Sequence, residues 1–192
     1  MDAEAQRVLD FWFGAPGSPQ AEQRRAEWFR KSDAFDASIR ERFLSTYEGA
    51  AAGRLTQWDA TARGLLALIV VLDQFPRNMF RGGSRAFASD AQALSAAERL
   101  VARGWDIELA PLERSFAYLP FEHAEDSASQ ERSVRLFGAL AQDAAYADLL
   151  EWARKHYVII QRFGRFPHRN IILGRVSTPE ESEFLSQPGS SF

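Results

Sequence analysis

The chain has 192 residues, 46% of them hydrophobic and 26% charged, enough for one soluble globular domain with a full core. A net charge of -3 gives no global field toward nucleic acid or anionic lipid. The absence of cysteine excludes disulfides, thiolate catalysis and cysteine metal sites, and fits a reducing cytoplasm.

The first residues carry an acid at once and no apolar core segment, so no signal peptide is expected. Asp2 predicts the cap of a helix over 3–13, with Val8, Leu9 and Trp12 on one face and Gly14 as its stop. Pro19 is expected to start a short helix ending in Trp28 and Phe29. Ser32 or Asp33 caps a third, in which Phe35, Ile39 and Phe43 recur at i, i+4, i+8. Trp58 and Asp59 read as the residue before the cap and the cap of a central helix over 60–75. That helix contains eight consecutive apolar residues, 65–72, too few to span a bilayer, and ends in a polar cluster broken by Pro76. Ser89 or Asp90 caps a helix running to Arg103, and Gly104 with Trp105 reads as its C-terminal stop. Pro111 starts the next helix, which Pro120 is expected to interrupt. Ser127 to Gln130 reads as a capping box for a helix to about 142. A long helix over 144–163 follows, ended by Gly164. Thr178, Pro179 and Glu181 form a capping box with proline at the first position, starting a last short helix.

No β alternation occurs. The expectation is an all-α fold, a compact bundle of about eight or nine helices in antiparallel hairpins, without a sheet. A single domain over 1–186 and a flexible tail over 187–192 are expected. One internal echo stands out: Phe75-Pro-Arg-Asn78 is matched by Phe166-Pro-His-Arg-Asn170, each after an apolar helix.

Three polar clusters interrupt this pattern. In the first, Asp73, Gln74, Arg77, Asn78 and Arg81 leave the central helix. A carboxylate in the last turn of an apolar helix opposes the helix dipole and needs a cation or several donors. Arg77 or Arg162 would supply a structural ion pair; a ligand-binding or general-base carboxylate is the functional reading. The second runs from Arg114 through Tyr118 and Pro120 to Glu122, His123 and Glu125. There the plain reading has both glutamates solvated and His123 capping or packing. The third holds Arg162, Arg165, His168, Arg169, Asn170 and Arg175, four arginines within fourteen residues. Arginines presented rigidly by Gly164 and Pro167 suit a carboxylate or phosphate, or equally Asp73, Asp90, Glu122 and Glu125 as ion-pair partners. His156, beside an apolar run, reads as a core histidine.

Two histidines and a carboxylate would serve iron or zinc, but no HExxH or ExxH spacing is present, and no metal or other cofactor is expected. Phosphate-loop, dinucleotide-glycine and GxSxG signatures are missing too, which removes the commonest nucleotide and serine-hydrolase readings.

The segments LDFWFG at 9–14, WFRKSDAFD at 28–36, LDQFPRNMFR at 72–81, YLPFEHAED at 118–126 and RFGRFPHRNIILGRVSTPEE at 162–181 are recognisable together. In them the chain resembles the bacterial family catalogued as domain of unknown function 924, placed in the tetratricopeptide-like helical superfamily. The resemblance implies a compact fold of helical hairpins in a soluble cytoplasmic protein. It implies no established activity and assigns no catalytic residue. The tetratricopeptide consensus itself is missing here.

The preferred functional reading is a pocket for a small anionic molecule where the three clusters meet. Aromatic side chains including Trp12 and Tyr118 wall it, and Gln74, Arg77, Asn78, Arg81, Arg162, Arg165, Arg169 and Asn170 bind the ligand. Asp73, His123 and His168 are the acid–base candidates for hydrolytic or proton-transfer chemistry. Two alternatives stand beside it: a helical module binding a peptide or partner protein, and a structural polar network without a ligand. Neither nucleic acid nor membrane is an expected partner. A monomer or a homodimer is open, with exposure of Trp28 and Trp105 as the sign of a dimer face.

Overall fold

The computed structural model describes residues 1–21 and 23–190. All regular structure among them is helical, with no strand. The helices are α1 (Ala3–Phe13), α2 (Asp33–Ala51), α3 (Ala62–Ile69), α4 (Phe75–Met79), α5 (Asp90–Ala102), α6 (Pro111–His123), α7 (Ser127–Leu140), α8 (Ala147–Phe163) and α9 (Pro179–Leu185). They fall into two compact units. The first comprises Met1–Arg81 and Arg85–Pro120; the second comprises Gly82–Ser84 and the chain from Phe121 onward.

In the first unit the central helix is longer than its composition predicts. α3 and α4 are joined by a π-helical turn, Val70–Gln74, into one continuous helix over 62–79 that runs through Pro76. Proline has no N–H and deprives the carbonyl four residues earlier of its partner. Here that carbonyl belongs to Leu72, and the buried Ser89 hydroxyl donates to it at 2.6 Å. Within the π turn the Phe75 N–H reaches back to the Val70 carbonyl, and Arg77 donates to the Asp73 carbonyl at 2.6 Å. The helix therefore survives its proline because side chains take over the freed carbonyl groups.

The start of this helix also differs from expectation. Trp58 and Asp59 lie in a 3-10 turn, and Thr61 is the cap, accepting from Gly64 N–H at 3.0 Å. The turn folds so closely onto the helix that a Cβ on Gly64 would lie 2.2 Å from the Trp58 carbonyl oxygen. Asp59 instead pairs with Arg99 and Arg103 of the α5 end. Residues 65–72 are all buried, against α1 and α5, while the π turn packs on α2.

Several local expectations hold. Asp2 caps α1, Ser32 caps α2, and α5 ends with Gly104 N–H on Val101 and Trp105 N–H on Leu100. The helix expected from Pro19 does not form over the described residues; a 3-10 turn, Ala26–Trp28, stands there, and Glu22 lies outside them. Arg25 ties this segment to α1 by donating to the Phe11 and Trp12 carbonyls. Trp28 is buried, at 5% exposure, so it offers no dimer face.

α6 continues unbroken past Pro120, and its last turn belongs to the second unit. There α7 and α8 pack side by side over a short connection. Asp126, not Ser127, caps α7. Gln130 is freed from the predicted capping box and donates to the Glu122 and Ala124 carbonyls at the α6 end, at 2.6 and 2.8 Å. Gly164 adopts the left-handed conformation (φ +68°) that ends α8, and Phe166 packs on Ile159 and Ile160. The Thr178–Glu181 capping box of α9 is formed in both directions. Of the expected tail, residues 191 and 192 lie outside the described residues; Ser190 is buried and donates to the Leu185 carbonyl at 3.2 Å.

Candidate functional site

The echo between Phe75–Asn78 and Phe166–Asn170 is not structural, since the first lies within a helix and the second forms an extended residue followed by a 3-10 turn. The two segments do share one device. Asn78 and Arg81 both donate to the Asp36 carboxylate of α2, Asn78 at 2.8 Å and Arg81 through two nitrogens at 2.9 and 3.1 Å. Asn170 and Arg165 do the same to Glu181 of α9, at 3.2 Å and at 2.6 and 2.7 Å.

The polar residues of the first unit are held in ion pairs and hydrogen bonds. Asp73 is fully buried, 3.3 Å from the Arg77 guanidinium, with the Gln74 amide donating to its other oxygen. Arg77 also makes a two-pronged pair with Asp90, at 2.8 and 3.0 Å. Burial works against the Arg77 charge, but Asp73 and Asp90 outweigh it and raise the guanidinium pKa further. The buried Tyr118 hydroxyl donates to Asp106 at 2.7 Å; burial and that bond push its pKa upward. Trp12 is buried among other aromatic rings.

In the second unit, two of the predicted clusters come together around Phe166. Glu122 and Glu125 are not solvated as the plain reading had them. Glu122 is 4% exposed, because positions 115, 118 and 122 of α6 share its buried face. Its Oε1 lies 3.1 Å from Nδ1 of His156, which is also 2.9 Å from the Trp152 carbonyl. Both neighbours are acceptors, so Nδ1 carries the proton and a neutral ring keeps its lone pair on Nε2. His123 stands 6.4 Å from His156 between ring centres, and Phe166 lies 5.5 Å from His156 and 5.7 Å from His168. The buried Arg169 guanidinium covers Phe166 at 4.6 Å. Burial pushes His156 down to about 3, and burial with Arg169 alongside pushes His168 down to about 4. Both imidazoles are neutral at pH 7.

Glu125 lies beyond the end of α6. It accepts from Phe166 N–H at 2.8 Å and from both terminal nitrogens of Arg175 at 2.6 and 3.0 Å. Burial would raise its pKa, but the Arg175 and Phe166 bonds win and lower it. Arg162 pairs with Glu180 at the surface, 2.9 Å away. Arg165 holds Glu181 down to about 2, against some burial and with help from Thr178 N–H. Among the described residues no group of three or more histidine, aspartate or glutamate side chains is arranged to hold a metal ion.

The family described as "Bacterial protein of unknown function (DUF924)" matches residues 8–189. The chain belongs to the DUF924 family. It is also similar to a solved structure, the protein of unknown function ATU0120 from Agrobacterium tumefaciens, at 42% identity and a TM-score of 0.84. That match covers 95% of this chain and 97% of the other. A search among curated proteins finds no match. No helix of the described residues is long and apolar enough to cross a membrane. For this DUF924 protein, sequence reasoning missed Glu122 and His156 as partners. The legible signal was the 115, 118, 122 spacing, which puts Glu122 on the same stripe as Tyr118.

Proposed function

We propose that this protein binds a small anionic metabolite in its second unit and performs acid–base chemistry there. Glu122, His156, His168 and Arg169 carry the site around Phe166, with His123 at its edge. The observation behind this reading is the Glu122–His156 pair, a buried carboxyl group orienting an imidazole whose tautomer is set by two acceptors. An anion bound beside the ring favours the imidazolium that burial opposes, so in the occupied site Nε2 accepts a proton and the adjacent Glu122 stabilises the cation. Arg169, a planar donor beside two uncharged histidines, recognises a carboxylate or phosphate group. Arg162, Arg165 and Arg175 serve structure, holding Glu180, Glu181 and Glu125. We further read the helical pairs, α7 with α8 above all, as tetratricopeptide-like hairpins, and the chain as one cytoplasmic domain.

Thermal-shift and calorimetric titration with inorganic phosphate, malonate and citrate tests the site. One of them stabilises the wild type and the Arg162→Gln control, but not Arg169→Gln, and its binding moves the His156 ring signals in NMR. Binding that survives equally in Arg169→Gln, or no binding of any of the three, defeats the proposal. A helical module for peptides has no observation here in its particular favour.

A further inference from the structure

The charges around Phe166 are balanced before any ligand enters. Two carboxylates, Glu122 and Glu125, stand against two guanidiniums, Arg169 and Arg175. Glu125 takes both terminal nitrogens of Arg175, and Arg169 acts on the same carboxylate electrostatically. Glu122, the carboxylate that orients His156 at 3.1 Å, and Arg169 are both buried. An anion entering this cluster therefore adds a negative charge where water is largely excluded. Unbalanced charge is costly there.

The imidazoles can supply the balancing charge, and they differ in how readily. His156 is buried and faces Glu122 and His123 of α6, with Arg169 and His168 of the 3-10 turn Pro167–Arg169. His168 is only partly buried, 5.7 Å from Phe166 between ring centres. Burial, then Arg169 of its own turn, Arg175 of the segment before α9 and His123 of α6 oppose a charge on its ring; Glu125, beyond the end of α6, favours one. An anion held by Arg169 offsets the repulsion that this guanidinium exerts on its chain neighbour. An opposite charge in contact favours an imidazolium by roughly one to three orders of magnitude.

Resting on the anion site proposed above, we infer that the second unit takes up its anion together with a proton from solvent, and that His168 carries this proton. The proton offsets the charge that the anion brings into the cluster. Binding is thereby regulated by pH. The complex holds a proton that the empty site lacks, so the site holds its anion more tightly in mild acid than above neutrality. His156 keeps a separate task, exchanging a proton with the bound molecule itself, a transfer that leaves the net charge of the complex unchanged.

The test is calorimetric titration of the full chain with inorganic sulfate, whose own charge stays constant, at about pH 7.5 and about pH 5.5 in buffers of different ionisation enthalpy. Binding is expected to be roughly tenfold tighter at the lower pH, with a buffer-dependent heat that reports proton uptake by the protein. In 15N spectra of the histidine rings, His168 becomes an imidazolium at the lower pH only when sulfate is present. His168→Gln keeps a planar polar side chain but cannot take the proton; it binds sulfate equally at both pH values, without the buffer-dependent heat. Should that variant fail to fold, the wild-type ring spectra decide alone. Equal binding at both pH values with no proton uptake overturns the coupling and leaves the anion site standing. A sulfate-dependent imidazolium at His123 or His156 in place of His168 overturns the assignment. Sulfate that binds at neither pH also overturns this proposal, whereas the anion site itself is judged by phosphate, malonate and citrate.

Discussion

Replacing Glu181 by glutamine tests how much of the second unit hangs on one carboxylate. Glu181 accepts four hydrogen bonds: from Arg165 Nε at 2.6 Å, Arg165 Nη2 at 2.7 Å, Thr178 N at 2.8 Å and Asn170 Nδ2 at 3.2 Å. Both oxygens face donors, so whichever way a glutamine amide turns, its NH2 group meets at least one N–H. Lowering a carboxyl from 4.5 to about 2 corresponds at most to about 3 kcal/mol. The Arg165 side chain is 29% exposed, and solvent screens the pair, so about half of that is expected, roughly 1.5–2 kcal/mol. At this chain length the loss lowers the melting temperature by roughly 3–8 °C. The sign with pH follows from the lowered folded-state value. The stabilisation is complete above about pH 5, where the unfolded carboxyl is also ionised, and fades as pH falls toward about 2. Melting curves of wild type and Glu181→Gln should therefore differ at neutral pH and converge in acid. Equal stability at neutral pH, or a gap that persists undiminished in acid, would refute the assignment of this stabilisation to the charged carboxylate.

Two other perturbations follow from the same kind of accounting. Ser89→Ala leaves the buried Leu72 carbonyl without its donor and should cost about 1–3 kcal/mol in urea unfolding; a neutral result would mean the helix re-closes around Pro76 unaided. His156 and His168, held near 3 and 4 when folded, take up protons in the unfolded chain at about pH 6.5. Stability should thus fall as pH drops from about 6.5 toward 4, and His168→Gln should flatten that slope. NMR titration showing either ring protonated at neutral pH would contradict it.

Helix number and type were legible because caps and apolar stripes are local signals. Asp2, Ser32, Gly104 and Thr178 all act where their residue types place them. The misplacements share one cause. Pro76 and Pro120 read locally as helix breaks, yet both helices continue. At Pro76 the reason is a serine thirteen residues later in the chain, which no local reading connects to Leu72. In the same way, Glu122 reads locally as a surface acid, and only its place on the α6 stripe predicts burial. The candidate residues themselves were legible as types. Their grouping was not, since Arg165 to Glu181, Glu125 to Arg175 and Asp36 to Arg81 are long-range pairings.

Those pairings bear on how much each arginine would contribute to recognising a ligand. A guanidinium that shares a carboxylate with an asparagine, as Arg81 and Arg165 do, is fixed in place. An incoming anion would have to displace a carboxylate that holds a helix end. Arg162 pairs at the surface with Glu180, where an anion gains little over water. Arg169 differs in its surroundings: it is buried, lies on the Phe166 ring beside two neutral histidines, and acts on the Glu125 carboxylate electrostatically. Charge recognition is strongest where solvent is excluded. Removing Arg169 should change ligand binding more than removing Arg81, Arg162 or Arg165.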